Sequence, residues 1–193
     1  MAASAVSICS NALLLLGAKP INDFNEDSDR ALVAANLYPM FSRAVLRSHL
    51  WNCCIRRVAL APLVDAPVFD FSYQFSLPDD WVRTLQVGQY GAEVDFRTEG
   101  RKLLSDQNPL YLRYVAHVSE GDWDDLLVHT MTVGMAAAMA YAITKSTAVV
   151  EDTTRKAQMA LRQAQAVDGQ DDPNETLGDS RLYAAGFFNG QLS

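Results

Sequence analysis

Three histidines, three cysteines and several paired aspartates are the side chains with which this sequence could do chemistry. His49, His117 and His129 are candidate general bases, but a base needs a nucleophile or an acid beside it. They fall in a helix end, a strand and a helix, so structural roles are expected for all three. GxSxG, HExxH and a glycine-rich nucleotide loop are all missing from the chain. Asp79–Asp80, Asp124–Asp125 and Asp171–Asp172 are carboxylate pairs. Glycoside hydrolysis needs two carboxylates facing each other across a cleft, not neighbours in the chain. Adjacent aspartates at helix starts act instead as caps and solubilising charge.

Metal and redox chemistry find no better footing. "DGQDDPNE", residues 168–175, lacks the spacing of a calcium loop. Cys9, Cys53 and Cys54 are odd in number and two are adjacent, which is no disulfide framework. They read as reduced, mostly buried thiols. No CxxC or Cys/His spacing points to zinc. No catalytic residue, cofactor or metal is expected.

The stretch "NALLLLGAKPI", Asn11 to Ile21, imitates two other motifs. As a signal peptide it lacks a basic residue before the leucines, and it is too short to span a membrane. As a phosphate loop it lacks the GxxxxGK[ST] pattern. A helix end explains it: Ala5, Ile8, Ala12, Leu15 and Leu16 recur at helical spacing, with Cys9 and Leu13 widening the face. Gly17 then supplies a left-handed C-cap and Pro20 blocks further helix. Leucines in excess of one face leave Leu14 for contact with another chain.

These residues need elements to hold them. The chain has 193 residues, 49% of them apolar, which is enough for a core without staples. Its net charge of −7 argues against a protein that grips phosphates, though not against one that lines a DNA path. The first helix spans about Ala3 to Leu16. A second, capped by Asp27 or Ser28, runs to about His49, with a kink or break expected near Tyr38 because Pro39 follows. Arg43, Arg47, His49, Arg56 and Arg57 cluster at its end, where cations are favoured.

From Val58 to about Val118 the period becomes two. "FDFSYQFSLP" alternates Phe69, Phe71, Tyr73 and Phe75, and "WVRTLQVG" and "YLRYVAHV" read as further strands. "GAEVDFRTEGRKLLS" adds two short ones, in a sheet of about four strands. "DWDDLLVHTMTVGMAAAMAYAITKS" returns to helix. Its Ala, Gly and Thr read as too weakly hydrophobic for a span, and as a central bundle helix. A fourth helix, about Ala148 to Val167, carries Val150, Ala157, Leu161 and Ala164 on one stripe. An acidic, turn-rich linker then leads to Leu182, Tyr183, Phe187 and Phe188.

The expected fold is thus α+β, mainly α. About four helices form a bundle from residues 1–57 and 119–167, with a small antiparallel sheet inserted at 58–118. Residues 168–193 form an extended C-terminal arm, whose aromatic end docks on its own domain or on another chain.

In this order and spacing, the residues resemble the tail tubular protein A family, the head-to-tail adaptors of short-tailed bacteriophages. The first landmark is the turn at Gly17 with its acidic loop. The second is "LRSHLWN", with Arg47, Trp51 and Asn52. "LPDDWVR" carries Pro78 and Asp80, and "EGRKL" carries Gly100 and Arg101, ahead of the "LRY" strand at Leu112 to Tyr114. Leu50 stands where the family pattern has proline, and Cys53–Cys54 where small or aromatic residues are usual.

The resemblance implies a structural virion protein and not an enzyme. Its subunits form a ring, twelvefold, that joins the portal protein to the tail nozzle protein and continues the DNA channel. Double-stranded DNA passes through it without specific binding, and no membrane is involved. Assembly takes place in the bacterial host cytoplasm. Leu182, Tyr183, Phe187 and Phe188 are the expected anchors on the portal or a neighbouring subunit, and truncation at Asp168 is expected to leave a folded monomer. The alternatives are a head-completion or connector protein of another tail type, a cell-wall hydrolase, or a DNA-binding module using Arg43, Arg47, Arg56 and Arg57.

Overall fold

The first helix, α1, spans Ala5–Leu15 and starts on Ser4. Ser4 and Ser7 cap each other's backbone N–H, which satisfies two of the donors a helix start leaves open. Gly17 has a φ of 73°, the left-handed turn that ends the helix. Ser10 Oγ then holds Ile21 by both its N–H and its carbonyl, folding the Pro20 loop back onto α1. Ile8, Cys9, Ala12 and Leu13 form the buried face. Leu15, which the spacing assigned to that face, is exposed together with Leu14. The packed stripe runs through Cys9, Ala12, Leu13 and Leu16, which leaves Leu15 at its edge. These coordinates are a computed structural model that describes residues 3–171.

Helix α2 spans Asp29–Ser48, with Ser28 Oγ accepting from Ala31 N. It runs on through Pro39, where the pattern implied a kink or break. Proline removes the donor to one carbonyl, but Ala34, Tyr38, Ser42, Val45 and Leu46 are buried on both sides of it. Packing over four turns outweighs one missing bond.

After a single 3-10 turn at Asn52–Cys54 the chain enters the β region. Strands β1 (Ile55–Leu60), β2 (Tyr73–Ser76), β3 (Trp81–Val87), β4 (Phe96–Glu99), β5 (Lys102–Ser105) and β6 (Leu110–Ala116) form two antiparallel sheets of three. Their orders are β1-β6-β3 and β2-β5-β4. The sequence pattern implied one sheet of about four strands. Two differences account for this. Ile55–Leu60 is a strand, so Arg56 and Arg57 lie on β1 and not on a helix end. The aromatic alternation is strand only from Tyr73, since Asp70 takes a positive φ and Phe69 is exposed. Gly100, with φ 58°, opens the two-residue turn between β4 and β5, a position where hairpin twist favours glycine.

Helix α3, Asp125–Thr144, begins on the Asp124 cap and packs against α1, α2 and the last helix, α4 (Thr147–Asp171). By length and composition α3 is apolar enough to cross a membrane, contrary to the expectation from its Ala and Gly content. Half of it is buried inside this fold, which gives its apolar surface a protein partner. Of the stripe expected on α4 only Ala164 is buried; Val150, Ala157 and Leu161 are half-buried, and Thr153, outside that stripe, is buried. The helix continues four residues past Val167, so 168–171 are helical and not part of an arm. The rest of that arm, residues 172–193 with Leu182, Tyr183, Phe187 and Phe188, lies outside the described residues.

The fold class is therefore α+β, mainly α: the described residues form four α-helices and two small antiparallel three-stranded sheets. One core joins them, running from Ile8 and Leu46 through Trp51 and Leu112 to Met131 and Met139.

Candidate functional site

The corner where α2 ends gathers the most side-chain bonds. The last carbonyls of a helix need donors. Val45 O receives two, from Trp51 Nε1 at 3.0 Å and Ser48 Oγ at 2.8 Å. Trp51 is buried, with the His49 ring edge-on at 4.7 Å. His49 Nε2 lies 3.0 Å from Asp168 Oδ2. Asp168 Oδ1 accepts from Asn52 N at 3.1 Å, and its carbonyl accepts from Asn52 Nδ2 at 2.7 Å. One acidic residue near the end of α4 thus clasps three groups beyond the end of α2. An acid near a helix C-terminus is electrostatically disfavoured, which was the available hint that Asp168 needs partners.

Next to this clasp sit Cys53 and Cys54, their sulfurs 3.7 Å apart and both free. A hydrogen bond from the Cys54 thiol lowers Cys53 to about 7, against the opposing effect of burial. The same bond, with burial, pushes Cys54 up. Cys9, enclosed in the core, is pushed up to about 12 by burial and then by the Glu120 charge.

A second set of ties holds the β region together and joins it at one point to α2. Arg47 Nη1 donates to Val82 O at 2.7 Å. The β3–β6 register slips between Trp81 and Arg83, so Val82 has no partner across the strand. A bulged residue is left out of the ladder, and Arg47 takes up its carbonyl. Asp80 Oδ1 accepts from Tyr114 Oη at 3.1 Å, and Asp80 O accepts from His117 N at 2.6 Å. Arg101 Nη2 donates to Pro78 O at 2.6 Å, while Arg101 O accepts from Leu77 N at 2.9 Å. Arg47, Asp80, Pro78 and Arg101 are therefore joints between segments, as Trp51 and Asn52 are at the corner. Gly17 and Gly100 stand apart, each at its own turn.

The three histidines stay separate. His49 is in the clasp, His117 is exposed just after β6, and His129 is exposed on α3. Among the described residues no group of three or more His, Cys, Asp or Glu could hold a metal ion. Arg43 and Arg47 lie on α2, Arg56 and Arg57 on β1.

Sequence patterns missed two features of the bundle. Tyr38 Oη donates to Glu120 Oε1 at 2.9 Å, across 82 positions. The Phe41 ring lies on Gly134 so closely that a Cβ there would meet Cζ at 2.4 Å. Together with Phe41, the small residues Gly134, Ala137 and Ala138 floor an apolar groove of about 440 Å³ between α2, α3 and α4. Exposed apolar side chains occupy other places: Leu14 and Leu15 on α1, Leu32 and Met40 on α2, Met159 on α4. Val64, Val68 and Phe69 project from the β1–β2 loop, with Val64 and Val68 essentially fully exposed. That loop borders an open cleft whose other walls carry Asp95, Glu99 and Asp106.

No protein-family model matches the chain, and no curated protein does.

Proposed function

We propose that this chain is a ring-forming head-to-tail adaptor of a short-tailed bacteriophage, joining portal to tail nozzle and continuing the DNA channel. The observation that carries this reading is the spread of uncovered apolar side chains over separate elements. Leu14 and Leu15 are exposed on α1, Leu32 and Met40 on α2, and Val64, Val68 and Phe69 on the β1–β2 loop. A ring contact that repeats by rotation needs two different patches on every subunit. Single surface hydrophobes are ordinary, but a loop that presents Val64, Val68 and Phe69 together is a contact element.

Three further points support it. The residues that carried the resemblance act as joints, which suits a subunit that must keep its shape under load. A net charge of −7 suits a channel wall that repels DNA. The aromatic end of the chain, Leu182 to Phe188, supplies anchors for the portal or a neighbouring subunit.

The test is co-expression with the portal protein of the same phage, followed by size exclusion with light scattering and electron microscopy. Twelve copies per portal ring are expected. A chain that stays monomeric beside assembled portal overturns the reading. Removal of the arm belongs after Asp171 and not at Asp168, because Asp168 is part of the clasp. The shortened chain is expected to stay folded and to lose portal binding.

A further inference from the structure

The groove between α2, α3 and α4 has no occupant in residues 3–171. Its lining is mainly apolar, with Phe41 and Val45 from α2, Gly134 and Ala138 from α3, and Ala157 and Leu161 from α4, beside the polar Ser48, Thr130, Thr154 and Gln158. At about 440 Å³ it falls within the range of pockets that enclose a drug-sized group, roughly 300–1,000 Å³. Aromatic rings are the side chains that gain most from such a site.

From this geometry we infer that the groove receives the chain's own aromatic end, Leu182, Tyr183, Phe187 and Phe188. The place where the chain leaves the fold decides the occupant. Asp168 is bonded to His49 and Asn52, and Ser48, the residue before His49, lines the groove. The described part of α4 therefore ends near the groove's own end. From Asp171 back to Leu161 is about 15 Å along the helix, and Thr154 is about 10 Å further. Residues 172–181, about ten in number, span up to ~33 Å when extended. The aromatic end reaches the whole groove with slack.

Charge favours the same path. Residues 172–181 include Asp172, Glu175 and Asp179 against a single Arg181. Arg43 is exposed on α2 next to the groove residue Ala44. Opposite charges along the route guide the segment into register. A segment tethered to its site binds at a high effective concentration, which a second copy lacks in dilute solution. The inference concerns the isolated chain and stands whether or not it is an adaptor.

Limited chymotrypsin digestion of the full chain tests it, with cleavage after Tyr183, Phe187 and Phe188 read by mass spectrometry. Cleavage of a closed segment follows the population of its open form. Ala138→Trp fills the groove from α3, and Gln158→Trp fills it from α4. Both positions are exposed, and a thermal melt confirms that each variant folds. Cleavage at the three sites is expected to be at least about tenfold faster in both variants than in the unaltered chain. Equal rates overturn the inference. Protection that fades when the unaltered chain is diluted also overturns it, in favour of a second copy as the occupant.

Discussion

His49 Nε2 and Asp168 Oδ2 meet at 3.0 Å although 119 positions separate them in the chain. That contact closes the helical bundle, because it joins the end of α2 to the end of α4. Asp168 serves Asn52 at the same time, so one carboxylate stands between two partners that have few alternatives.

Asp168→Ala is expected to destabilise the chain by about 1–3 kcal/mol, the cost of leaving partly buried donors unpaired. For a chain of this length each kcal/mol corresponds to roughly 2–4 °C in Tm. Asp168→Asn keeps an oxygen for Asn52 N and is expected to lose less. Thermal melts at pH 7 decide it, and an Ala variant with an unchanged Tm removes the clasp from the account.

Gly134 and Phe41 should be coupled. Alanine at 134 gains up to about 1 kcal/mol of helix propensity, but its Cβ displaces the Phe41 ring, at about 1–3 kcal/mol. In the unaltered chain Gly134→Ala is expected to be destabilising. In a Phe41→Ala background the same change is expected to stabilise. Denaturant titration of the double-mutant cycle reads the difference. Equal effects in both backgrounds would show that the ring does not constrain position 134.

Alkaline pH should weaken the fold. Tyr114 is pushed up to about 12, by burial first and then by Asp80, from an ordinary value of 10. Cys9 rises from 9 to about 12, and Tyr38 moves the same way through burial and Glu120. Between the ordinary and the raised values the folded chain holds protons that the unfolded chain has released, so stability falls as pH rises. The contribution is complete below pH 9 and is lost towards pH 12. Above about pH 9 the Tm is expected to decline, with a shallower decline in Tyr114→Phe. A Tm that rises over that range contradicts the assignment.

Thiol reactivity should follow the environments of the three cysteines. Cys53 is half-buried and lowered to about 7, whereas Cys9 and Cys54 are covered and raised. The thiolate is the nucleophile, so one equivalent of iodoacetamide at pH 7.5 is expected to label Cys53 first. Peptide mapping identifies the site. Preferential labelling of Cys9 in the folded chain would refute this order.

Much of the fold was legible because local signals agreed. Ser28 before Asp29, Gly17 after the leucines and Gly100 between two short strands each mark a boundary by their own conformational preference. Isolated residues could not reveal pairings that only three dimensions create. Nothing near Arg47 announces that β3 slips a register and leaves the Val82 carbonyl free. Ile55–Leu60 hid its strand because two arginines followed a cationic helix end, and composition there favoured the wrong element. Pro39 does not break α2, because buried residues on either side of it hold the helix together. The joints Pro78, Asp80 and Arg101 were found through resemblance and not through any chemistry visible in their spacing.

Ile55 pairs with Val115, so the β region begins and ends on neighbouring strands. That pairing fixes the mouth of the β region, and the bond from Arg47 to Val82 O holds β3 to α2 as well, while the β1–β2 loop lies outside both ties. The entropy of closing such a loop grows only logarithmically with its length. Segments inserted at the tip between β1 and β2 would therefore cost the bundle little. The loop that carries Val64, Val68 and Phe69 can change in length while the helices keep their geometry.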